Sequence, residues 1–255
     1  MVDDRRDSFR DRLYSAYSTD HAGVADVSSA DLSFRRDVLP HLPSDHRASV
    51  IDLGCGQGQV VRLLVEAGYP NASGIDVSPE QVRLAHEAGV PQVVLGDYRD
   101  GFHGLAPAAV VATDFFEHLD KYEVLEAMDK VNAELASDGV LILRVPNSVS
   151  PFAGNYRYGD LTHETSFTAR SLRQLGAAAG YAAVSTFGCR PMVHGIKSAA
   201  RLGVWGLASV SMKLTLAAET GQLRGHFVSQ NIVAVMRKSA QHGNGKSRGR
   251  TGEAP

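Results

Sequence analysis

Residues 50–60 read VIDLGCGQGQV, in which an apolar run ends at Asp52 and three glycines follow at alternate positions. Glycine permits a tight turn and leaves room for a ligand that approaches the backbone. A helix that begins directly after such a turn presents unpaired backbone N–H groups and the positive end of its dipole. The stretch therefore predicts a strand, a tight turn and a helix, with a ligand bound at the turn.

The spacing of these glycines distinguishes between nucleotide ligands. A dinucleotide loop reads G-x-G-x-x-G and has room for a pyrophosphate, whereas this loop reads G-x-G-x-G. Asp52 would repel a pyrophosphate but suits a ligand with an ammonium or sulfonium group. Asp76, at the end of the next apolar run, can accept hydrogen bonds from both ribose hydroxyls. These features indicate a positively charged nucleoside without phosphates.

Strand-like and helix-like segments alternate along most of the chain. The predicted strands cover residues 48–53, 72–75, 92–95, 108–112, 140–145, 182–187 and 227–235. The predicted helices cover residues 3–17, 29–41, 57–67, 79–88, 122–135, 168–179 and about 193–218. Because strands that alternate with helices form βαβ units, we predict an α/β fold with a doubly wound, mainly parallel seven-stranded sheet and helices on both faces.

The chain is expected to have three parts. Residues 1–45 form a helical segment, residues 46–237 form the main domain with a helical insertion at about 193–218, and residues 238–255 form a disordered tail that lacks apolar side chains. Residues 147–166 are expected to form a polar and aromatic loop. Loops of that length inside a compact domain are usually functional or mobile.

Composition restricts the classes of function. The formal net charge is −2, which argues against a nucleic-acid partner. No stretch has the roughly 20 apolar residues that span a bilayer, and the charged start of the chain lacks the apolar core of a secretory signal. One of the two cysteines lies inside the glycine loop, so a disulfide framework is not expected. We therefore predict a cytoplasmic protein.

Four motifs together resemble one family. VIDLGCGQG at 50–58, GIDVSPE at 74–80, VLGDY at 94–98 and VNAELASDGVLILRVPN at 131–147 are similar to those of the class I S-adenosylmethionine-dependent methyltransferases. The resemblance is good over residues 48–146 and implies S-adenosylmethionine as cofactor. The positions that it assigns to the cofactor are Asp52, Gly54, Cys55, Gly56, Gly58, Asp76, Val77, Asp97, Tyr98, Asp114 and Phe115.

The same resemblance implies a role for the side chains at the strand ends. Asp76 would hold the ribose hydroxyls, and Val77 would flank the adenine. Asp97 would meet the adenine amino group, with Tyr98 close by. Residues 113–115 would contact the methionyl part of the cofactor.

Candidate acceptor contacts follow predicted strands four and five, because ligands of an open α/β sheet lie beyond the carboxyl ends of its strands. An alcohol acceptor needs a base, and histidine is suited to that role near neutral pH. The catalytic candidates are His163, His118 and Glu117. The substrate-binding candidates are Tyr156, Tyr158, Asp160 and Glu164.

A divalent metal is an alternative use of the same region. Asp114, Glu117 and His118 read D-x-x-E-H, and His163 lies in the following loop. The pattern resembles the E-x-x-E-H with which small-RNA 2′-O-methyltransferases and ubiquinone-pathway O-methyltransferases hold a metal. Here aspartate replaces the first glutamate and shortens its reach, so the metal stays an open alternative.

The insertion at 193–218 carries a helical stripe of apolar and small residues. Lys197, Arg201 and Lys213 are its charged residues. The segment is compatible with a helix packed on its own domain, a lid over the acceptor, a homodimer interface or peripheral membrane contact. It resembles insertions in methyltransferases that act on surface-polysaccharide and glycolipid sugars.

The predicted function is methyl transfer from S-adenosylmethionine to a small-molecule acceptor, with a sugar or glycoconjugate hydroxyl as the expected target. One alternative is N- or C-methylation of a natural product or a quinone-like metabolite. Another is a protein that binds S-adenosylmethionine without catalysis. The complete set of motifs and the polar loop favour an enzyme.

Overall fold

The computed structural model describes residues 12–13, 27–102, 104–222 and 224–240. Most of the helix expected at 3–17 and of the tail expected at 238–255 lies outside these residues. The strands are β1 (Val50–Leu53), β2 (Ala72–Asp76), β3 (Val93–Leu95), β4 (Ala109–Thr113), β5 (Val140–Pro146), β6 (Ala183–Gly188) and β7 (Asn231–Arg237). The α-helices are α1 (Val27–Asp37), α2 (Gln59–Glu66), α3 (Pro79–Glu87), α4 (Lys121–Glu134), α5 (Ala153–Gly159), α6 (Ala169–Ala178) and α7 (Ile196–Thr220).

The strands form one sheet in the order β3-β2-β1-β4-β5-β7-β6. Strands β1 to β5 pair in parallel, and β7 lies antiparallel between β5 and β6. The strand order reverses between β1 and β4, and ligands of doubly wound folds bind in the crevice at such a point. The predicted mainly parallel, seven-stranded sheet is confirmed.

Helices cover both faces of the sheet. On one face, Leu141 of β5 belongs to a buried cluster that also contains Met128 of α4 and Leu172 of α6. On the other face, Ile142 belongs to a cluster that contains Phe34 of α1. Successive side chains of a strand point to opposite faces, so one strand serves both layers. The crevice at the strand ends is thereby held between two packed layers.

Two expectations about secondary structure are wrong. The loop expected at 147–166 contains α5, a short helix of mostly polar and aromatic residues. The last strand begins at Asn231 and not at Phe227. The side-chain amide of Asn147 donates to the carbonyls of Phe227 and Ser229 at 2.6 and 2.8 Å, which holds the residues before β7 outside the strand ladder.

The apolar stripe expected along 193–218 faces solvent. Helix α7 turns Ser198 and Ser209 toward the domain, and both side chains are buried. Ile196 and Leu207 are 89% and 78% exposed. None of the helices in the described part of the chain is long and apolar enough to cross a membrane. The helix therefore packs through a face that combines these serines with the half-buried Leu202, Trp205, Met212 and Leu216, and it leaves a second apolar face uncovered.

Candidate cofactor and acceptor site

The glycine loop adopts a conformation that larger residues rarely take. Gly54, Gly56 and Gly58 have φ values of 69°, 51° and 77°. A Cβ added at Gly54 would lie 2.5 Å from Cδ2 of Phe115, which is closer than real Cβ contacts. The backbone N–H of Gly54 donates to the carbonyl of Ile75 at 2.9 Å. The loop is thus tied to β2, and the ring of Phe115 leaves no space for a side chain at Gly54.

Asp76 joins the loop to the next helix. Its Oδ2 accepts from the backbone N–H of Gly56 at 2.8 Å, and its Oδ1 accepts from that of Ser78 at 2.9 Å. Ser78 in turn caps α3, and its hydroxyl accepts from the backbone N–H of Gln81. These contacts fix the carboxylate at the carboxyl end of β2. Its remaining acceptor capacity suits a pair of ribose hydroxyls.

Asp52 carries a buried oxygen that the protein does not satisfy. The residue is 2% exposed, and its Oδ1 has no hydrogen-bond partner among the described residues. Burial, together with the nearby charge of Asp76, raises the pKa of the Asp52 carboxyl well above its usual range. A buried carboxylate of this kind needs a donor or a cation. The orphaned oxygen and the glycines that follow it fit a ligand with an ammonium group.

The other predicted cofactor residues lie around the same crevice in different ways. Cys55 is buried against Gly74, so its backbone rather than its thiol is available to a ligand. Val77 is exposed at the end of β2. The Asp97 carboxylate accepts from the backbone N–H of Arg99 at 2.8 Å and pairs with the Arg99 guanidinium. Tyr98 is buried and packs edge-on to Phe115, with ring centroids 6.0 Å apart.

Asp114 is held by a residue that the sequence analysis missed. Its φ is 56°, an unusual value for a residue other than glycine. Its carboxylate forms an ion pair with Arg144 of β5. The only sequence signal for Arg144 is one charged residue inside the apolar run LILRVP. Because its carboxylate is turned toward the guanidinium, Asp114 does not join the other candidate metal ligands, Glu117, His118 and His163.

Glu117, His118 and His163 meet beyond the carboxyl end of β4. One potential ligand atom from each lies within 4.8 Å of the others. The two imidazole rings are edge-on, with centroids 4.8 Å apart. Glu117 is 1% exposed, and burial, followed by the charge of Asp114, raises the pKa of its carboxyl well above its usual range. The three catalytic candidates therefore form one cluster.

Hydrogen bonds fix the tautomer of both histidines. The carbonyl of Tyr156 lies 2.8 Å from Nδ1 of His163 and can only accept, so Nδ1 carries the proton. The hydroxyl of Thr162 donates to Asp160 at 2.6 Å and therefore accepts from Nδ1 of His118 at 2.9 Å. In each neutral ring Nε2 is left as the nitrogen with the lone pair. Thr162 had no sequence signal beyond its place next to His163.

Burial makes the His118 ring a weak proton acceptor. Burial, followed by the neighbouring His163, lowers the pKa of His118 to about 4. A ring with so low a pKa is a weak proton acceptor at neutral pH. His163 lies 3.8 Å from the Asp160 carboxylate, measured from Nε2 to Oδ2.

A cavity of about 420 Å³ connects this cluster with the ends of β5 and β7. Two of the predicted substrate residues, Tyr156 and Asp160, line it. Tyr158 is 73% exposed and lies outside it, as does the exposed side chain of Glu164. Residues that line the cavity and were not singled out from the sequence are Arg144, Pro146, Asn155, Gly159, Gln230 and Asn231.

The donor set of the cluster also fits a metal ion. Oε2 of Glu117 is buried without a hydrogen-bond partner in the described structure. Two imidazole nitrogens and one carboxylate oxygen are common ligands of Zn²⁺, Mn²⁺ and Fe²⁺. Glu117, His118 and His163 would hold such an ion, and it would supply a Lewis acid beside the acceptor oxygen.

The comparisons with known proteins agree on one family. Residues 30–186, more than half of the chain, match the family described as a methyltransferase domain. A trans-aconitate 2-methyltransferase of Azoarcus sp. (strain BH72) is 36% identical over 121 residues, or 44% of this chain. The match spans 45% of that relative's own length.

Solved structures show the same fold at low sequence identity. A SAM-dependent methyltransferase from Archaeoglobus fulgidus has a TM-score of 0.65 and 18% identity, covering 88% of this chain and 99% of that one. Magnesium protoporphyrin IX methyltransferase from Synechocystis PCC 6803, solved with bound SAH, has a TM-score of 0.52 and 15% identity, covering 84% and 82%. These structures show the fold, and the family match over residues 30–186 establishes that the chain belongs to the class I S-adenosylmethionine-dependent methyltransferases.

Proposed function

We propose that this methyltransferase acts on a hydroxyl oxygen of a small molecule, with a sugar or glycoconjugate hydroxyl as the expected acceptor. The observation that carries the proposal is the fixed tautomer of His163. Its Nδ1 donates to the Tyr156 carbonyl, so the lone pair lies on Nε2, which can act as a base. The ring lines a cavity beyond the carboxyl ends of β4 and β5, where this fold binds acceptors. A neutral hydroxyl needs such a base, because it is a poor nucleophile.

Each residue then has a defined task. Asp52 pairs with the amino group of the methionyl part, and Asp76 accepts from the ribose hydroxyls. Bound S-adenosylmethionine supplies an electrophilic methyl carbon on a sulfonium. Nε2 of His163 takes the proton of the acceptor hydroxyl as that oxygen becomes a nucleophile, and Nδ1 keeps its proton on the Tyr156 carbonyl. Most of the rate gain comes from positioning the two reactants.

A carboxylate acceptor is the second candidate, favoured by the name of the curated relative, a trans-aconitate 2-methyltransferase. A carboxylate is already a nucleophile and needs no base. A screen of hydroxyl and carboxylate acceptors by mass spectrometry, for a gain of about 14 Da that requires S-adenosylmethionine, tests both. Modified hydroxyls support the first proposal. Products that are only carboxyl esters, or only N- or C-methylated, contradict it.

We infer further that the exposed face of α7 binds an anionic lipid surface. With 3.6 residues per turn, Ile196, Leu207 and Leu214 share one face, and Lys197 and Lys213 fall on opposite sides of it. An apolar face between basic flanks suits an interfacial helix, because the leucines enter the acyl boundary while the lysines meet anionic headgroups. The cytoplasmic location stays a prediction from the sequence.

Changing both Leu207 and Leu214 to Gln should release the protein from vesicles. We expect a loss of binding of about tenfold or more, since each buried leucine contributes roughly 1.5 kcal/mol or more. Co-sedimentation with phosphatidylcholine vesicles, with and without phosphatidylserine, measures it, and Leu105→Gln is the matched control at an exposed leucine elsewhere. Absence of binding to phosphatidylserine vesicles contradicts the inference. A dimer in ultracentrifugation that the double variant abolishes would assign the face to a second copy.

A further inference from the structure

A second cavity, of about 460 Å³, lies between α1, α5, α7 and the ends of β5 and β7. Its charged lining is unbalanced, because it contains four arginines and a single aspartate. These residues are Arg36, Arg144, Arg190, Arg201 and Asp37. We propose that this cavity binds a carboxylate or phosphate group of the acceptor, with Arg144 as its main contact. The proposal rests on the proposed methyl transfer and names the class of its acceptor as an oxyanion.

Arg144 has hydrogen-bonding capacity that the protein leaves unused. Its side chain is 24% exposed and pairs with Asp114 through Nη2. Its Nε is buried and has no hydrogen-bond partner in the part of the chain that the structure describes. A buried N–H of a charged group without an acceptor is costly, so a ligand acceptor stabilises it. The planar guanidinium matches the two oxygens of a carboxylate or phosphate.

The aspartate in the lining is already neutralised. Both oxygens of Asp37 accept from the Arg36 guanidinium at 2.5 Å. The same guanidinium also donates to the carbonyl of Arg190. Cys189, which lines the cavity as well, is a neutral thiol, because burial raises its pKa to about 12. Arg144 is likewise paired with Asp114, so the net positive charge of the lining comes from the exposed Arg190 and Arg201, and such a field attracts anions into a cleft.

The anion cavity adjoins the cavity that contains His163. Arg144, Tyr156, Gln230 and Asn231 line both. An acceptor anchored by its anionic group at Arg144 can therefore place another part near the His163 ring. Apolar walls such as Trp205 leave room for the uncharged part of the molecule. The arrangement favours an acceptor with an anionic end and a separate methylation site.

The single tryptophan of the chain, Trp205, provides a direct readout. Citrate and inorganic phosphate, added at constant ionic strength, are the carboxylate and phosphate probes, and triethyl citrate is the uncharged control. We expect at least one anion to change Trp205 fluorescence in a saturable way and triethyl citrate to have no effect. Arg144→Gln should weaken that binding by about tenfold or more, because a hydrogen bond to a charged group is lost.

Two further variants keep the test decisive. Arg83→Gln, on the exposed face of α3, is the matched control and should bind like the wild type. If Arg144→Gln fails to fold, the double variant Arg190→Gln and Arg201→Gln should weaken anion binding instead. No response to either anion, or unchanged affinity in these variants, overturns the inference. S-adenosylmethionine is titrated in the same samples. Cofactor binding without anion binding contradicts only this inference, whereas loss of cofactor binding contradicts the proposed methyl transfer as well.

Discussion

Replacing Gly54 with alanine should severely weaken the binding of S-adenosylmethionine. Alanine is strained in the left-handed backbone conformation at φ 69°. Its Cβ would also lie 2.5 Å from Cδ2 of Phe115, which is a steric clash. Relief of that overlap must move either the loop or the ring away from the crevice. We expect an affinity loss of roughly 100-fold or more, equivalent to about 2.8 kcal/mol, measured by isothermal titration.

Gly89→Ala is the matched control for this change. Gly89 also has a positive φ, 81°, but a Cβ there has no neighbour within 4 Å. It therefore carries the same kind of backbone strain without touching the crevice. S-adenosylmethionine should bind to this variant as to the wild type. Wild-type affinity in Gly54→Ala, or equal losses in both variants, would show that the loop does not form the cofactor site.

Replacing His163 with alanine should lower kcat for a hydroxyl acceptor by roughly 10²- to 10⁴-fold, the usual contribution of a general base. The affinity for S-adenosylmethionine should not change, because His163 lies with the acceptor cavity beyond β4 and not at the glycine loop. Single-turnover rates and cofactor titrations of the same preparations measure the two effects separately.

The exposed His194 offers a matched control, and His194→Ala should retain full activity. An unchanged rate in His163→Ala would remove this residue from the mechanism. If the acceptor is a carboxylate, only a small loss is expected. Inactivation of the wild type by EDTA, with recovery on addition of Mn²⁺ or Zn²⁺, would assign Glu117, His118 and His163 to a metal and not His163 to a base.

The geometry of the candidate cofactor site was largely predictable because its signals are local. The strand, the alternating glycines and Asp76 lie within 27 consecutive residues, 50–76. Each follows from the steric demands of a turn or from the position of a strand end. The predicted helix over residues 79–88 begins where α3 does for a similar reason, since a cap, a proline and an acidic residue are consecutive at 78–80.

The acceptor half of the candidate site was harder to predict, because it depends on contacts between parts of the chain that are distant in sequence. Asp114 and Arg144 are 30 residues apart, and their pairing follows only from the parallel register of β4 and β5. Helix α5 was missed because its seven residues, AGNYRYG, have no apolar period and include two glycines. The exposed stripe of α7 shows a further limit, since hydrophobic periodicity identifies a face but not what covers it.

The central claim is that the glycine loop and its two aspartates form a cofactor site, and titration of the wild-type chain with S-adenosylmethionine tests it most directly. Isothermal titration should give saturable binding of one molecule per chain, and Asp52→Ala and Asp76→Ala should weaken it. A folded wild-type protein that releases no binding heat, and whose thermal unfolding is unaffected by S-adenosylmethionine, would contradict the account.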